Sequence, residues 1–182
     1  MAGVAVVAVV MTLAGCGTSE DGSTDPEAVP SSGTGTVAAD VPSGFSPCDD
    51  IPESLLDSLE LRQKIPADSD ASGGIKWRGC MWAQPDGYAV GITTTNITVE
   101  MVEAKDFADT RKLTVAGREA ISSRQSDVET KASCTLLVAM LGGGLEFALT
   151  NSPTAKDTGH RDACDLVREL AETIVPTVPS HA

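Results

Sequence analysis

The sequence predicts an α+β domain: a mostly antiparallel sheet packed with two or three helices and held by two disulfides. Three observations predict it. Short runs of alternating apolar residues are separated by Gly-bearing turns, which is the pattern of hairpins. An apolar stripe at helical spacing lies near the C-terminus. Four cysteines (Cys48, Cys80, Cys134 and Cys164) fall in the same stretch, an even number.

Before that domain comes an apolar run, Val4 to Val10, closed by Leu13-Ala14-Gly15-Cys16. The run covers about 13 residues, whereas a membrane span needs roughly 20. A signal-peptide core of about 7–15 residues fits better. Small residues at Ala14 and Gly15 let a peptidase reach the backbone, and the Cys16 thiol is the group that takes the lipid. Residues 1–15 are therefore expected to be a lipoprotein signal peptide, with Cys16 the lipidation site. No Lys or Arg precedes the run, so the true start is expected upstream of Met1.

Gly17 to Gly44 is rich in Gly, Ser, Thr, Pro and acids. It lacks the large apolar residues that would offset its ordering entropy. Residues 16–44 read as a disordered tether, reaching about 30 Å if fully flexible. Deleting it is expected to leave the stability of the domain, residues 45–182, unchanged.

Charge narrows the partners. The chain carries 26 acids and 13 bases, a net of −13. Five acids lie before Phe45 and no base does, so from Phe45 on there are 21 acids against 13 bases, a net of −8. Such a domain repels phosphate backbones, and nucleic acid is not an expected partner. It also lacks the polybasic patch that holds proteins to anionic headgroups. Membrane attachment is expected through acyl chains on Cys16, of which two or more anchor stably. The expected place is the extracytoplasmic face of the cell membrane. Aromatic side chains number six, too few for sugar-binding or base-stacking platforms built from several exposed rings.

The elements then follow in order. Asp50-Ile51-Pro52-Glu53 resembles a helix start, with Asp50 as cap and Pro52 in the first turn. Ile51, Leu55, Leu56 and Leu59 share one side of a helix ending near Glu60. Pro66 to Gly74 reads as a polar loop. Lys76 to Ala83 and Tyr88 to Thr95 flank Gln84-Pro85-Asp86-Gly87, a turn with Pro setting φ and Gly accepting positive φ. Thr98 caps a helix expected to run to about Thr110, with Met101, Ala104 and Ala108 on one face. Asn96-Ile97-Thr98 matches a glycosylation acceptor but carries little weight in a bacterial lipoprotein.

Leu113 to Ala116 and Arg118 to Ser123 read as strands about Gly117. Cys134, Leu136, Val138 and Met140 alternate along another strand, and Leu145, Phe147 and Leu149 along its return. Gly142-Gly143-Gly144 between them reads as a hairpin turn. It lacks the Lys-Ser/Thr and the helix start of a phosphate-binding loop. A last helix spans about Arg161 to Val175, burying Ala163, Val167, Leu170 and Ile174, and Pro176 ends it.

With Cys16 assigned to lipid, four cysteines outside the cytoplasm imply two disulfides, for which three pairings exist. The favoured pairing is Cys48–Cys80 with Cys134–Cys164, each tying a helix to a nearby strand. A metal site is disfavoured: there is no CxxC, and His160 is the one histidine between Phe45 and Pro176. No cofactor is expected.

Pro47-Cys48, Cys80-Met81-Trp82, Gly117-Arg118-Glu119-Ala120, Cys134 in a strand and Cys164 opening the final helix together resemble the actinobacterial lipoprotein family called domain of unknown function 3558. The resemblance covers roughly Phe45 to Pro176. It implies a secreted, lipid-anchored, disulfide-bonded envelope domain, and it brings no catalytic residues.

Nucleophilic catalysis would need Ser or Cys with a His and an orienting acid, and no GxSxG occurs. His160 reads as an exposed turn residue. Asp49-Asp50 reads as acids favouring a helix dipole rather than a catalytic pair. Lys76-Trp77-Arg78 reads as part of a strand rather than a basic contact site. The expected role is a non-enzymatic binding or accessory module of the envelope, with an envelope protein or a small ligand as partner. The alternatives are a lipid or glycolipid carrier, which needs an apolar cavity between sheet and helices, and an envelope hydrolase.

Overall fold

A computed structural model describes residues 37–124 and 131–182. Helices α1 (Pro47–Asp50) and α2 (Glu53–Ser58) come first, then strands β1 (Arg62–Pro66), β2 (Ser69–Asp70), β3 (Lys76–Ala83) and β4 (Ala89–Thr95). Helix α3 (Val99–Glu103) leads to β5 (Ala108–Val115), β6 (Arg118–Arg124), β7 (Ser133–Met140) and β8 (Gly143–Thr150). Helix α4 (Ala163–Ile174) follows, continued by a 3₁₀ turn at Val175–Thr177. The strands form one sheet in the order β1-β3-β4-β8-β7-β6-β5, with β2 also on β3, and every pairing is antiparallel. This is the predicted class. Strands β5 to β8 form a meander whose last strand docks on β4, so β4 and β8 lie at the centre.

The alternating runs form hairpins because their turns are chemically specified. Ala116 (φ 49°) and Gly117 (φ 82°) join β5 to β6, and positive φ at both central residues matches the right-handed twist of the flanking strands. Gln84 N–H donates to Tyr88 O at 2.8 Å across the β3–β4 turn, where Asp86 (φ 55°) rather than the expected Gly87 takes the positive φ. The β7–β8 turn is narrower than expected. Met140 pairs with Gly143, so Leu141-Gly142 makes the turn, and Gly143 and Gly144 belong to β8. Gly143 is there for close approach: a Cβ at this position would collide with Thr95 O of β4.

Alternation sorts the sheet into two faces. The inner face carries Trp82, Val90, Ile92, Leu136, Val138, Leu145 and Phe147. The α4 stripe, Ala163, Leu166, Val167, Leu170, Ala171 and Ile174, packs onto it. Asp162 caps α4, its carboxylate accepting from Cys164 N–H at 2.8 Å. On the outer face a smaller cluster joins Val99 and Val102 of α3 to Ile121 of β6 and Leu137 of β7. Each fully buried aliphatic or aromatic side chain contributes about 1.5–3 kcal/mol, whereas exposed ion pairs such as Lys112–Glu103 contribute about 0–1. The fold is therefore held mainly by these two cores.

Three further expectations are corrected. The helix begun at Thr98 stops at Glu103 instead of Thr110. Thr98 Oγ1 does accept from Met101 N–H at 3.3 Å, but Asp106 turns the chain with φ 50° and Ala108 starts β5. Pairing with β6 there outweighs the weak helical spacing of Ala104 and Ala108. Asp50 does not cap α2. It ends α1, where its carboxylate accepts from Ser46 N–H at 2.7 Å, and Pro52 takes the cap position of α2. The polar loop from Pro66 to Gly74 contains β2, and β1 precedes it. Together these form one interrupted, wholly exposed edge to β3, with Pro66 at the break. Exposed edges alternate no apolar residues, and they tolerate proline.

Residues 37–44, assigned above to the tether, lie against the domain. Pro42 is buried, Asn96 Nδ2 donates to Ala38 O at 2.8 Å, and Lys76 Nζ donates to Ala39 O at 2.8 Å. Apart from Pro42, the contacts are chiefly polar ones, among them bonds to backbone oxygens, so composition did not reveal them. A chain beginning at Phe45 should be about 1–2 kcal/mol less stable in urea unfolding than one beginning at Val37. Equal stability of the two would show that this strap contributes nothing. The rest of the expected tether, with Cys16 and residues 1–15, lies outside the described residues.

Candidate functional site

The four domain cysteines pair as favoured. Cys48 of α1 joins Cys80 of β3 with Cα atoms 5.3 Å apart, and Cys134 of β7 joins Cys164 of α4 at 5.0 Å. Each bridge links a buried strand sulfur to a cysteine on a helix.

The remaining sequence candidates are brought into structural roles. Asp49 and Asp50 both turn back to Ser46, Asp49 accepting from its hydroxyl at 2.8 Å. Lys76 and Arg78 are engaged rather than presented: Lys76 with Asp40 at 3.5 Å, Arg78 with Asp70 at 2.6 Å. His160 stands exposed in the turn before α4. Asn96 is fully buried. Its Oδ1 accepts from Lys76 N–H at 2.9 Å and its Nδ2 donates to Ala38 O and Gly74 O. An amide used in this way is closed to glycosylation.

Sequence reasoning missed three features. The first is Arg124 at the end of β6, whose side chain is 6% exposed. It donates to Asp109 Oδ2 at 2.9 Å, to Ser133 O at 2.9 Å and to both oxygens of Asp162 at 2.8 Å. Burial opposes charge on both partners, but the mutual hydrogen bonds outweigh it, so Arg124 is held above its ordinary value and Asp162 below. Only its position beside the N-terminus of α4, set by the fold, distinguishes this arginine from the others.

The second is a groove of about 530 Å³ between α1, α2 and β1, bordered by Ile51, Leu56, Leu61 and Trp82. Its basic groups are engaged: Arg62 pairs with Asp57, and Lys64 Nζ donates to Cys48 O at 2.5 Å.

The third is a cavity of about 260 Å³ on the outer face, away from α3. Ala67, Trp77, Gly91, Thr93, Glu146 and Ala148 border it. The register explains it: Thr93 of β4 lies between Gly79 of β3 and Glu146 of β8, and Gly91 lies between Met81 and Ala148. Small residues on neighbouring strands leave a hollow, and a Cβ added at Gly91 would meet nothing within 4 Å. Burial pushes the Glu146 carboxyl above its ordinary value, and an approach by the Trp77 indole lowers it only in part. Trp77 Nε1–H makes no full hydrogen bond, although it is shielded from solvent. Among the described residues Glu146 has no ion-pair partner. Spacing in the sequence could not signal a site whose two principal residues stand on β3 and β8.

Fold and cross-links define a disulfide-stapled α+β domain, with one antiparallel sheet between a long inner helix and a short outer one. The chain belongs to the family described as "Protein of unknown function (DUF3558)", whose profile matches residues 11–177. No curated protein and no solved structure matches it.

Proposed function

We propose that this chain is a lipid-anchored protein on the extracytoplasmic face of the cell membrane, serving as a non-enzymatic binding or accessory module. The observation that carries the reading is Cys16 after Leu13-Ala14-Gly15, set ahead of a domain whose other four cysteines are all oxidised. Disulfides persist outside the cytoplasm, and a thiol reserved from pairing is available to acyl chains. The family match begins at residue 11, so it takes in this motif. No helix among the described residues is long and apolar enough to cross a membrane. The partner is a small ligand or another envelope protein. The acidic balance argues against nucleic acid.

The carrier alternative needs an apolar cavity between sheet and helix. That space is filled instead: Leu136, Phe147, Val167 and Ile174 are all essentially inaccessible there. A hydrolase working through a Ser or Cys nucleophile needs a histidine held against it. His160 is exposed at a turn.

Cys16→Ser should move the protein out of the membrane fraction or leave it unprocessed. Fractionation with mass measurement of the product reads this directly. Normal lipidated attachment of the variant would overturn the anchor.

A further inference from the structure

We propose that the hollow on the outer sheet face binds a small organic amine: Glu146 receives the ammonium group, and Trp77 with Ala67 and Ala148 receives its hydrocarbon stem. This deepens the binding-module reading and rests on it, but it is independent of the anchor assigned to Cys16.

The argument starts from what the hollow lacks. Glu146 is half-buried, and a carboxyl withdrawn from water in this way is normally paired or bonded. Glu146 faces Thr93 on one side and Leu137 on the other, and no Lys or Arg borders the cavity. The Trp77 N–H beside it makes no full hydrogen bond of its own. Two polar groups converge on an unfilled space, and a donor placed there would satisfy both carboxylate oxygens and let the indole N–H close on one of them. A cation answers an uncompensated acid better than a neutral donor, because charge-assisted hydrogen bonds are about twice as strong as neutral ones. The net negative charge of the domain draws cations to it.

The rim sets the rest of the ligand. Met81 pairs with Gly91 across β3 and β4, and Ile65 of β1 pairs with Met81, so both project on the face that holds the hollow. They are 40% and 49% exposed, two of the three large apolar side chains that reach solvent among the described residues. The hollow itself is lined on its apolar side by Ala67, Ala148 and the Trp77 ring, and Met81 and Ile65 lie beyond it on the same face. A volume of about 260 Å³ admits a fragment-sized ligand rather than a lipid. The matching chemistry is an ammonium group on an alkyl stem of several carbons, whether free or at the end of a lysine side chain.

The test is an NMR titration of the full-length Cys16→Ser chain with its disulfides oxidised. Two indole N–H signals are expected, from Trp77 and Trp82, and Trp77→Phe assigns them. n-Hexylammonium should shift the Trp77 signal saturably and leave that of Trp82, which is 2% exposed, in place. 1-Hexanol, the same stem without the charge, should bind at least tenfold more weakly, and so should methylammonium, which lacks the stem. Glu146→Gln should weaken hexylammonium at least tenfold. Gly91→Val, which fills the hollow without touching the acid, should abolish the shift at unchanged melting temperature; this second variant keeps the test decisive if Glu146→Gln folds poorly. Nα-acetyl-lysine amide binding as well as hexylammonium would assign the site to a protein side chain, and weaker binding would assign it to a free amine. No saturable shift, or equal binding by hexanol or by Glu146→Gln, overturns the proposal while leaving the Cys16 fractionation result standing.

Discussion

Replacing Cys134 and Cys164 together by alanine should lower the free energy of unfolding by about 3–4 kcal/mol. The bridge closes a sequence separation of 30 residues, and loop entropy alone gives about that amount. Cys134 is also buried in the inner core, so lost sulfur packing adds to it. A domain of this size has about 5–15 kcal/mol in total, which makes the change a large fraction of its stability. The effect should concentrate on α4, because that bridge fastens the helix to β7. Urea unfolding of the oxidised parent and the double variant measures it, and amide exchange locates it. A loss under about 1 kcal/mol, or exchange unchanged in α4, would contradict the account.

Arg124→Met should cost about 3 kcal/mol. Removing one partner of a buried ion pair typically costs 3–5 kcal/mol. Here the lower end applies, because Asp162 and Asp109 keep 28% and 52% side-chain exposure and water can reach them. The variant strands the Ser133 carbonyl and two carboxylates, and it loosens Asp162, which caps α4. The acid limb separates this from simple packing. Asp162 is held below its ordinary value in the folded chain, so its contribution is present above the unfolded carboxyl value of about 3.9. It disappears as pH falls through the lower folded value. The gap between parent and variant should therefore narrow below about pH 4. A gap constant from pH 7 down to acid would mean that the arginine acts through its hydrocarbon stem alone.

What the sequence disclosed depended on which force shaped each element. The central hairpins were legible because one face is buried, so Cys134 to Met140 and Leu145 to Leu149 alternate, and their turns need particular residues. Helix α4 was legible from its single apolar stripe. The edges were not. Strand β1 is exposed throughout, and the first residues of β5 carry Ala-Asp-Thr, which fits a helix as readily as an edge strand. The strap at residues 37–44 contacts the domain chiefly through backbone oxygens, which leave no mark on composition. The disulfide pairing was within reach because helix and strand order restrict it. The Glu146 hollow was not, since it exists only once three strands have taken their register.

The strap and the first disulfide together give the domain a graded response to tension. A pull on the N-terminal end loads the hydrogen bonds to Ala38 and Ala39 first, and these yield one after another. Their release frees eight residues, 37–44, a segment of roughly 26–29 Å at full extension. Beyond that the load reaches Cys48 and crosses the covalent bridge to Cys80 in β3, between the β1–β2 edge and β4. Hydrogen bonds on both sides of β3 must then shear together, whereas a strand pulled from its end would unzip them singly. A pull on the N-terminal end should therefore be met first by release of residues 37–44 and only then by the sheet.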